Sequence, residues 1–438
     1  MVGGALLVVG EAGVGKTALL DAAAADAATA GVRVLHAGGV EFEAEVSFAG
    51  LPELDSAIEA IDAQTDHANA VRLGIAAMYV DRLAGCRGAL ERVLDHGRAG
   101  GAIASAIKAF ALLCFDGLLS GDWERTLRLA DEGLVITAQH HYRLLGGFLH
   151  YDQAMVAAAR GDRELVQHVT DELVGWAAPN RVGFVLQLAA HARSVAALGG
   201  GDYETAYRHA LDVCSPSTVP AFKPAALWVL FDLVEAAVRA GRMDEARAHA
   251  ADIDAAGVAA ISPRLALVTG GALALVSDDD GFRDAYRRAL ATPDAGRWQF
   301  LHARIQLAYG ERLRRAKDTT DARAVLTRSL ATFERLGAEP WASRTRTELR
   351  ASGLALDRTG EDASGALTPQ QREIAELAAA GLSNRQIGER LFLSPRTVGA
   401  HLYQVFPKLG VTSRAGLRDA LADGAPTTNS RSHYTRSE

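Results

Sequence analysis

The segment Gly121 to Leu127 (GDWERTL) decides the fold, because related segments follow it at a fixed spacing. They contain Gly161 (GDRELV), Gly201 (GDYETAY), Gly241 (GRMDEAR) and Gly281 (DGFRDAY), each forty residues after the one before. Ala- and Leu-rich runs of helical character lie between them. Internal repeats of about this length are typical of stacked helical hairpins, because one hairpin cannot bury its apolar face alone.

We therefore predict a mainly α-helical chain whose residues 66–352 form a tetratricopeptide-like superhelix, with each glycine loop ending one helix and starting the next. Its groove would bind an unknown inducer or a protein, or the array would serve only as a spacer. Histidines His140, His141, His150 and His168 show no metal-ligand spacing. Two acid-ended apolar runs, ALALVSDDD (272–280) and WVLFDLVE (228–235), are interpreted as packed helix faces with polar loops.

The composition limits the classes of protein to which the chain can belong. The chain has 438 residues, which is room for two to four domains, and a net charge of −7. Its three cysteines, Cys86, Cys114 and Cys214, form no CxxC pair, which argues against a zinc site or a disulfide framework and favours a reducing cytoplasm. No uncharged apolar run reaches about twenty residues, so neither a signal peptide nor a membrane span is expected.

The N-terminal residues predict a phosphate-binding loop. The short apolar run GALLVV (4–9) suits a buried strand, GEAGVGKT (10–17) matches GxxxxGK[ST], and a helical stretch follows. In this motif, backbone N–H groups near glycines cradle the phosphates, the lysine reaches the β- and γ-phosphates, and the threonine ligates Mg²⁺. The candidate nucleotide-binding residues are Gly10, Gly13, Gly15, Lys16 and Thr17; no other metal ligand and no catalytic residue is predicted.

Hydrolysis needs more than this loop. A second strand, VRVLHAG (32–38), follows the helix, but no acid-ended strand that would hold Mg²⁺ comes after it. Residues 1–55 therefore predict a small, partial P-loop α/β segment. ATP with Mg²⁺ is the cofactor that this segment would take; whether it is still bound stays open, and enzymatic turnover is not expected.

The C-terminal residues predict four short helices after a polar linker at 353–366. Thr368 to Gln371 and Ser383 to Gln386 are capping boxes, Ser394-Pro395 starts a third helix and Ser413 a fourth. The tight connection between the second and third helices is typical of a helix-turn-helix. Within 381–418, six basic residues stand against one acidic residue, which favours an anionic partner over a bundle that binds a protein.

The third of these helices has two faces. Val398, Leu402, Val405 and Leu409 form an apolar stripe that should pack on Ile374, Leu377, Ile387 and Leu391. The rest of the helix supplies candidate DNA contacts: small residues for close approach, basic residues and a threonine for phosphates, and an aromatic and an amide side chain for base edges. These candidates are Arg396, Thr397, Gly399, Ala400, Tyr403, Gln404 and Lys408.

The segment Leu367 to Leu421 (LTPQQREIAELAAAGLSNRQIGERLFLSPRTVGAHLYQVFPKLGVTSRAGLRDAL) resembles the DNA-binding domain of LuxR-type regulators. With a P-loop in front and helical repeats between, the whole chain resembles the large ATP-binding LuxR-type regulators of the STAND class, here with a truncated ATPase domain. The resemblance implies a LuxR-type four-helix domain at 367–422, a disordered tail at 423–438, and a bacterial transcription factor. Its partners would be double-stranded promoter DNA, RNA polymerase and, when active, a second copy or an oligomer of the chain.

Two alternatives from other classes stay open. One is an ATP-switched regulator with real nucleotide turnover, which requires activity that depends on Lys16. The other is a repeat scaffold that binds protein partners without recognising DNA, for which substitution of Arg396 or Tyr403 would have no effect.

Overall fold

The computed structural model describes residues 22, 29, 51–61, 66–214, 224–353, 369–391, 395–409, 411 and 414–423. The chain divides into two compact units, Met1–Gly353 and Leu354–Glu438. The P-loop residues Gly10, Gly13, Gly15, Lys16 and Thr17 lie outside the described residues, as do most of the linker at 353–366 and the tail at 424–438. The predicted P-loop segment, linker and tail therefore stay predictions.

All regular structure in the described part of the first unit is helical. Three short 3₁₀ turns lie at Leu83–Cys86, Val258–Ala260 and Ala295–Arg297. The α-helices are α1 (Leu51–Glu59), α2 (His67–Tyr79), α3 (Arg87–Arg98), α4 (Ile103–Ser120), α5 (Trp123–Gln139), α6 (Arg143–Arg160), α7 (Arg163–Ala177), α8 (Gly183–Gly199), α9 (Tyr203–Val213), α10 (Pro224–Arg239), α11 (Met243–Ala255), α12 (Pro263–Val276), α13 (Phe282–Leu290), α14 (Gln299–Arg315), α15 (Thr319–Leu336) and α16 (Glu339–Ala351).

The repeated glycines lie where helices end, as predicted. Gly121, Gly161, Gly201 and Gly241 adopt φ values of +87°, +87°, +78° and +77°, a left-handed conformation that glycine adopts without steric cost. Gly281 differs, because its φ is −94° and it directly precedes α13. Four of the five glycines at the forty-residue spacing therefore end a helix in the same way, and the fifth lies in a different kind of loop.

The two helices of a hairpin approach each other closely at small and hydroxylated residues. The Thr126 hydroxyl of α5 donates to the Cys114 carbonyl of α4 at 3.3 Å, and the Ser194 hydroxyl of α8 donates to the Ala206 carbonyl of α9 at 2.9 Å. A Cβ at Gly117 would stand only 2.4 Å from the Thr126 hydroxyl. The hairpins are thus close-packed pairs whose buried hydroxyls are satisfied by the partner helix.

Contacts also join hairpins that are far apart in sequence. The side chain of Arg264 at the start of α12 donates to the Asp81 carboxylate at 2.7 Å, 183 residues away. The aromatic ring of Trp341, 1% exposed, lies against Gly199 at the end of α8, and Pro340 lies against Gly161 at the end of α6. Early, middle and late hairpins of this unit therefore contact one another directly.

A network of buried charges occupies that interior. The Arg304 guanidinium lies 2.6 Å from carboxylate oxygens of both Asp232 and Glu235, and all three residues are buried. Glu311 accepts from Arg239 at 2.7 Å and from Arg344 at 2.6 Å. The run WVLFDLVE thus belongs to a packed helix face, as predicted, but its two acids form ion pairs inside the array.

These charges are held by their partners. Burial disfavours the charged form of Asp232, but the Arg304 guanidinium and the His191 side chain together outweigh burial and hold the pKa of that carboxyl below its ordinary value. Burial likewise opposes ionisation of Glu235, and Arg304 and Arg239 together hold its pKa low. Glu311 behaves differently, because burial outweighs its arginine partners and raises its pKa to about 7. The network therefore contains one carboxyl that titrates near neutral pH.

One helix of the described residues, Ile103–Ser120, is long and apolar enough to cross a membrane. Most of it, 61%, is buried against its neighbours within the array. The three cysteines are buried and none forms a disulfide. Within the described ranges, no group of three or more His, Cys, Asp or Glu side chains is placed to hold a metal ion.

Candidate nucleic-acid interface

The second unit contains four α-helices in its described part. They are α17 (Pro369–Ala379), α18 (Asn384–Leu391), α19 (Pro395–Lys408) and α20 (Leu417–Asp423), with a 3₁₀ turn at Arg414–Gly416 before the last. The fourth helix was expected to start at Ser413; it starts with this 3₁₀ turn and becomes α-helical only at Leu417. The first three helices begin where the sequence predicts.

The connection between α17 and α18 has a defined geometry. Gly381 ends α17 with φ +91°, and the Leu382 N–H donates back to the Leu377 carbonyl at 3.2 Å. The Ser383 N–H donates to the Gln386 side-chain oxygen at 2.8 Å, and the Gln386 N–H lies 3.4 Å from the Ser383 hydroxyl oxygen. The predicted capping box at Ser383 is therefore confirmed; the one at Thr368 lies outside the described residues.

The core of this unit holds the three longer helices together. Val398, Leu402 and Val405 of α19 are buried in one cluster with Ile374 of α17 and Ile387 of α18. The partly buried members that pack against it include Leu377, Leu391 and Leu409. The apolar stripe thus packs on the residues that the sequence analysis named, and it fixes which side of α19 faces inward.

Three of the seven candidate DNA contacts lie on the side of α19 opposite the buried stripe, and the other four lie on its flanks. With about 3.6 residues per turn, positions 396, 400 and 403 lie across the helix from the Val398–Leu402–Val405 stripe. Gly399 is half-buried, and a Cβ on it would stand 3.4 Å from the Asn384 side-chain nitrogen at the start of α18. The side chains of the other six candidates lie outside what the structure describes, although their backbone belongs to α19: Arg396, Thr397, Ala400, Tyr403, Gln404 and Lys408.

Arg414 has a role that the sequence analysis did not identify. Its guanidinium donates to the Asn384 side-chain oxygen at 2.8 Å and also to the Leu382 carbonyl. Arg418 donates to the Ala379 carbonyl at 3.2 Å. Arg414 therefore binds the loop before α18 and the first residue of α18, whereas Arg418 binds the last carbonyl of α17. Arg414 lies thirty residues after Asn384 in the sequence, so no local sequence pattern predicts this contact.

Comparison with known proteins identifies this unit. Residues 365–420 match the family described as "GerE: Bacterial regulatory proteins, luxR family". A putative HTH-type transcriptional regulator of Mycobacterium bovis is 50% identical over 64 residues, which are 14% of this chain and 7% of the relative. The probable HTH-type transcriptional regulator GfsR of Streptomyces halstedii is 46% identical over 65 residues, 15% of this chain and 27% of the relative.

A third relative, the transcriptional regulatory protein MctR of Rhizobium johnstonii, is 43% identical over 65 residues, 15% of this chain and 30% of the relative. In each case the chain aligns with less than a third of the relative's length. The C-terminal unit therefore contains a helix-turn-helix domain of the luxR family.

Proposed function

We propose that this protein is a cytoplasmic transcription regulator that binds double-stranded promoter DNA by placing α19 in the major groove. The family match over residues 365–420 carries the proposal. The buried stripe of α19 supports it, because it leaves the side with Arg396, Ala400 and Tyr403 away from the core. In this function Arg396, Thr397 and Lys408 bind phosphates, Tyr403 and Gln404 reach base edges, and Gly399 and Ala400 permit close approach.

Charge supports the same partner. Residues 365–438 carry nine basic and six acidic side chains, so this end is net +3 while the whole chain is −7. An acidic body repels nucleic acid and a basic end attracts it, so binding is confined to the helix-turn-helix.

The remaining parts of the chain supply regulation in this proposal. The helical hairpins act as a sensor and oligomerisation domain, and the active form is a homodimer or oligomer that contacts RNA polymerase. The loop at Lys16 and Thr17 binds ATP weakly and without turnover. Nucleotide binding to wild type and to Lys16→Ala tests this last point. Equal binding by the two proteins would show that the loop does not bind the nucleotide. Steady hydrolysis that depends on Lys16 would favour an ATP-driven switch.

The test of DNA binding uses the full-length protein. Duplexes are selected from a pool with a randomised centre, and their affinities are measured by fluorescence anisotropy from 50 to 200 mM salt. Arg396→Ala should weaken binding to all duplexes alike and lower the salt slope by about 1, because one phosphate contact is lost. Tyr403→Ala should change which duplexes are preferred.

Arg346→Ala is the matched control, because this substitution removes the same charge from a different place. Arg346 pairs with Glu334 and Glu339 on the surface of the repeats. The substitution should leave affinity and salt slope unchanged. Equal affinity for DNA with and without residues 381–438 would refute the proposed function.

A further inference from the structure

A cavity bordered by aromatic rings lies between the first hairpins and α10. It encloses about 330 Å³, within the range of small-molecule sites and equal to about ten liquid water molecules. Ile75 and Tyr79 of α2, which are 36% and 44% exposed, line one side together with Lys108 of α4. Half of the other lining side chains are aromatic, namely Phe115, Phe148, Tyr151, Phe184 and Trp228.

Several of these rings contact one another. The centroids of Phe115 and Trp228 are 4.6 Å apart, and those of Phe148 and Phe184 are 5.4 Å apart. Tyr151 stacks on Trp228 at 5.9 Å with an interplanar angle of 22°. The Tyr151 hydroxyl is already paired with the His191 Nδ1 at 2.9 Å. Tyr151 therefore lines the cavity while its hydroxyl is used elsewhere.

One carboxyl group in the cavity wall has no partner of its own. Among the buried acids of the described residues, Asp81, Asp116, Asp232, Glu235 and Glu311 each contact an arginine. Asp152 is 1% exposed, lines the cavity, and pairs with no cation in the described part of the chain; its Oδ1 has no hydrogen-bond partner there. Burial raises the pKa of this carboxyl well above its ordinary value.

We propose that this cavity binds an organic cation: an amine or quaternary ammonium group at Asp152 with an apolar body between the aromatic rings. Aromatic faces attract ammonium groups through the ring quadrupole, most strongly where water is excluded. Burial without a partner disfavours the ionised form of Asp152, and a bound cation supplies the charge that stabilises this form. Lys108 is an exposed residue that also lines the cavity, and its positive charge disfavours a ligand that carries a second cationic group.

As a binding site the cavity depends only on its own residues. As an effector site it rests on the regulatory function proposed above. The two are therefore measured separately, the first by calorimetry without DNA and the second by DNA affinity with and without the probe.

The probes are three isosteres, 4-phenylbutylamine, 4-phenylbutanol and 4-phenylbutyrate, titrated into the full-length protein. The amine should bind at least tenfold more tightly than the alcohol, and the acid should not bind. Asp152→Asn should remove the preference for the amine and leave binding of the alcohol, while Phe184→Leu should weaken both. Asp171→Asn is the matched control, because Asp171 is an exposed acid paired with Arg193, and it should bind all three probes like wild type.

Thermal unfolding shows whether each variant is folded before it is titrated. Three results would overturn the proposed binding site. The amine could fail to bind at millimolar concentration, it could bind no better than the alcohol, or it could bind Asp152→Asn as well as it binds wild type. Amine binding that leaves DNA affinity unchanged overturns only the effector role. A protein that binds the amine but no duplex at all refutes the proposed function and leaves the site intact.

Discussion

Replacing Arg304 with methionine tests how the interior of the helical array is held together. Methionine keeps the length and apolar contacts of the arginine but removes its charge from between Asp232 and Glu235, both 2.6 Å from the guanidinium. Glu235 keeps Arg239 at 3.3 Å, whereas Asp232 keeps only its hydrogen bond with His191 at 2.9 Å. Breaking a buried ion pair from one side costs about 3–5 kcal/mol.

The guanidinium also lies over the rings of Phe231 and Phe300, at 5.0 Å and 5.5 Å from their centroids. Losing such a contact costs about 0.5–2 kcal/mol when it is desolvated. We therefore expect Arg304→Met to lower the free energy of unfolding by about 3.5–7 kcal/mol at pH 7. Urea unfolding followed by circular dichroism at 222 nm measures this change.

The effect should depend on pH in a defined direction. In the wild type, the pKa values of Asp232 and Glu235 lie below their ordinary values, so their stabilisation is present above about pH 4 and is lost only in acid. Without Arg304, burial raises the pKa of Asp232, and the variant loses stability as pH rises. The deficit should therefore be smaller at pH 5 than at pH 8, and Asp232→Asn added to Arg304→Met should recover part of it.

Arg346→Met is the control, since a surface arginine with two exposed partners contributes about 0–1 kcal/mol. A cost for Arg304→Met no larger than that of this control, or a cost that does not grow between pH 5 and pH 8, would refute the interpretation that Arg304 compensates buried carboxylates.

Further predictions concern single residues. Glu311 has a pKa of about 7 in the fold and about 4.3 when unfolded, so its proton-linked stability is lost as pH rises between these values. Relative to Glu311→Gln, wild type should thus lose on the order of 3 kcal/mol from pH 4 to pH 8 in urea titrations; parallel pH profiles would contradict this. Asp152→Asn should raise the thermal midpoint at pH 8, because it removes an unpaired buried acid; an unchanged or lower midpoint would count against that reading. Ile387→Ala should cost the C-terminal unit about 2–5 kcal/mol and weaken DNA binding, because the side chain is fully buried between α17 and α19; unaltered melting of that unit would show that the contact is dispensable.

The sequence predicted the features that depend on local patterns. Four of the five repeated glycines, from Gly121 to Gly241, end helices because a left-handed residue is needed there, and this need is visible in the sequence itself. The stripe of α19 was identified because helical periodicity alone places Val398, Leu402 and Val405 on one face.

The interior network could not be predicted in the same way. Asp232 and Arg304 are 72 residues apart, and Asp81 and Arg264 are 183 residues apart, so no spacing rule relates them. A signal was nevertheless present, because WVLFDLVE places two acids on a helix that is otherwise apolar all round. Charged residues on a helix that must be buried require charged partners from elsewhere.

The arginine network has a consequence for how the repeats can be rearranged. Helical hairpins of similar length are exchangeable by shape, so an array of them can shift by one repeat, or lose one, without losing its local packing pattern. Here the partners of each buried charge sit on particular helices, because Arg304 of α14 meets Asp232 of α10 and Arg344 of α16 meets Glu311. Removing the forty residues 241–280 would keep every local repeat signal and still separate Asp232 from its arginine. Because each buried charge has its partner on one particular helix, hairpins of similar shape can be assembled in only one order.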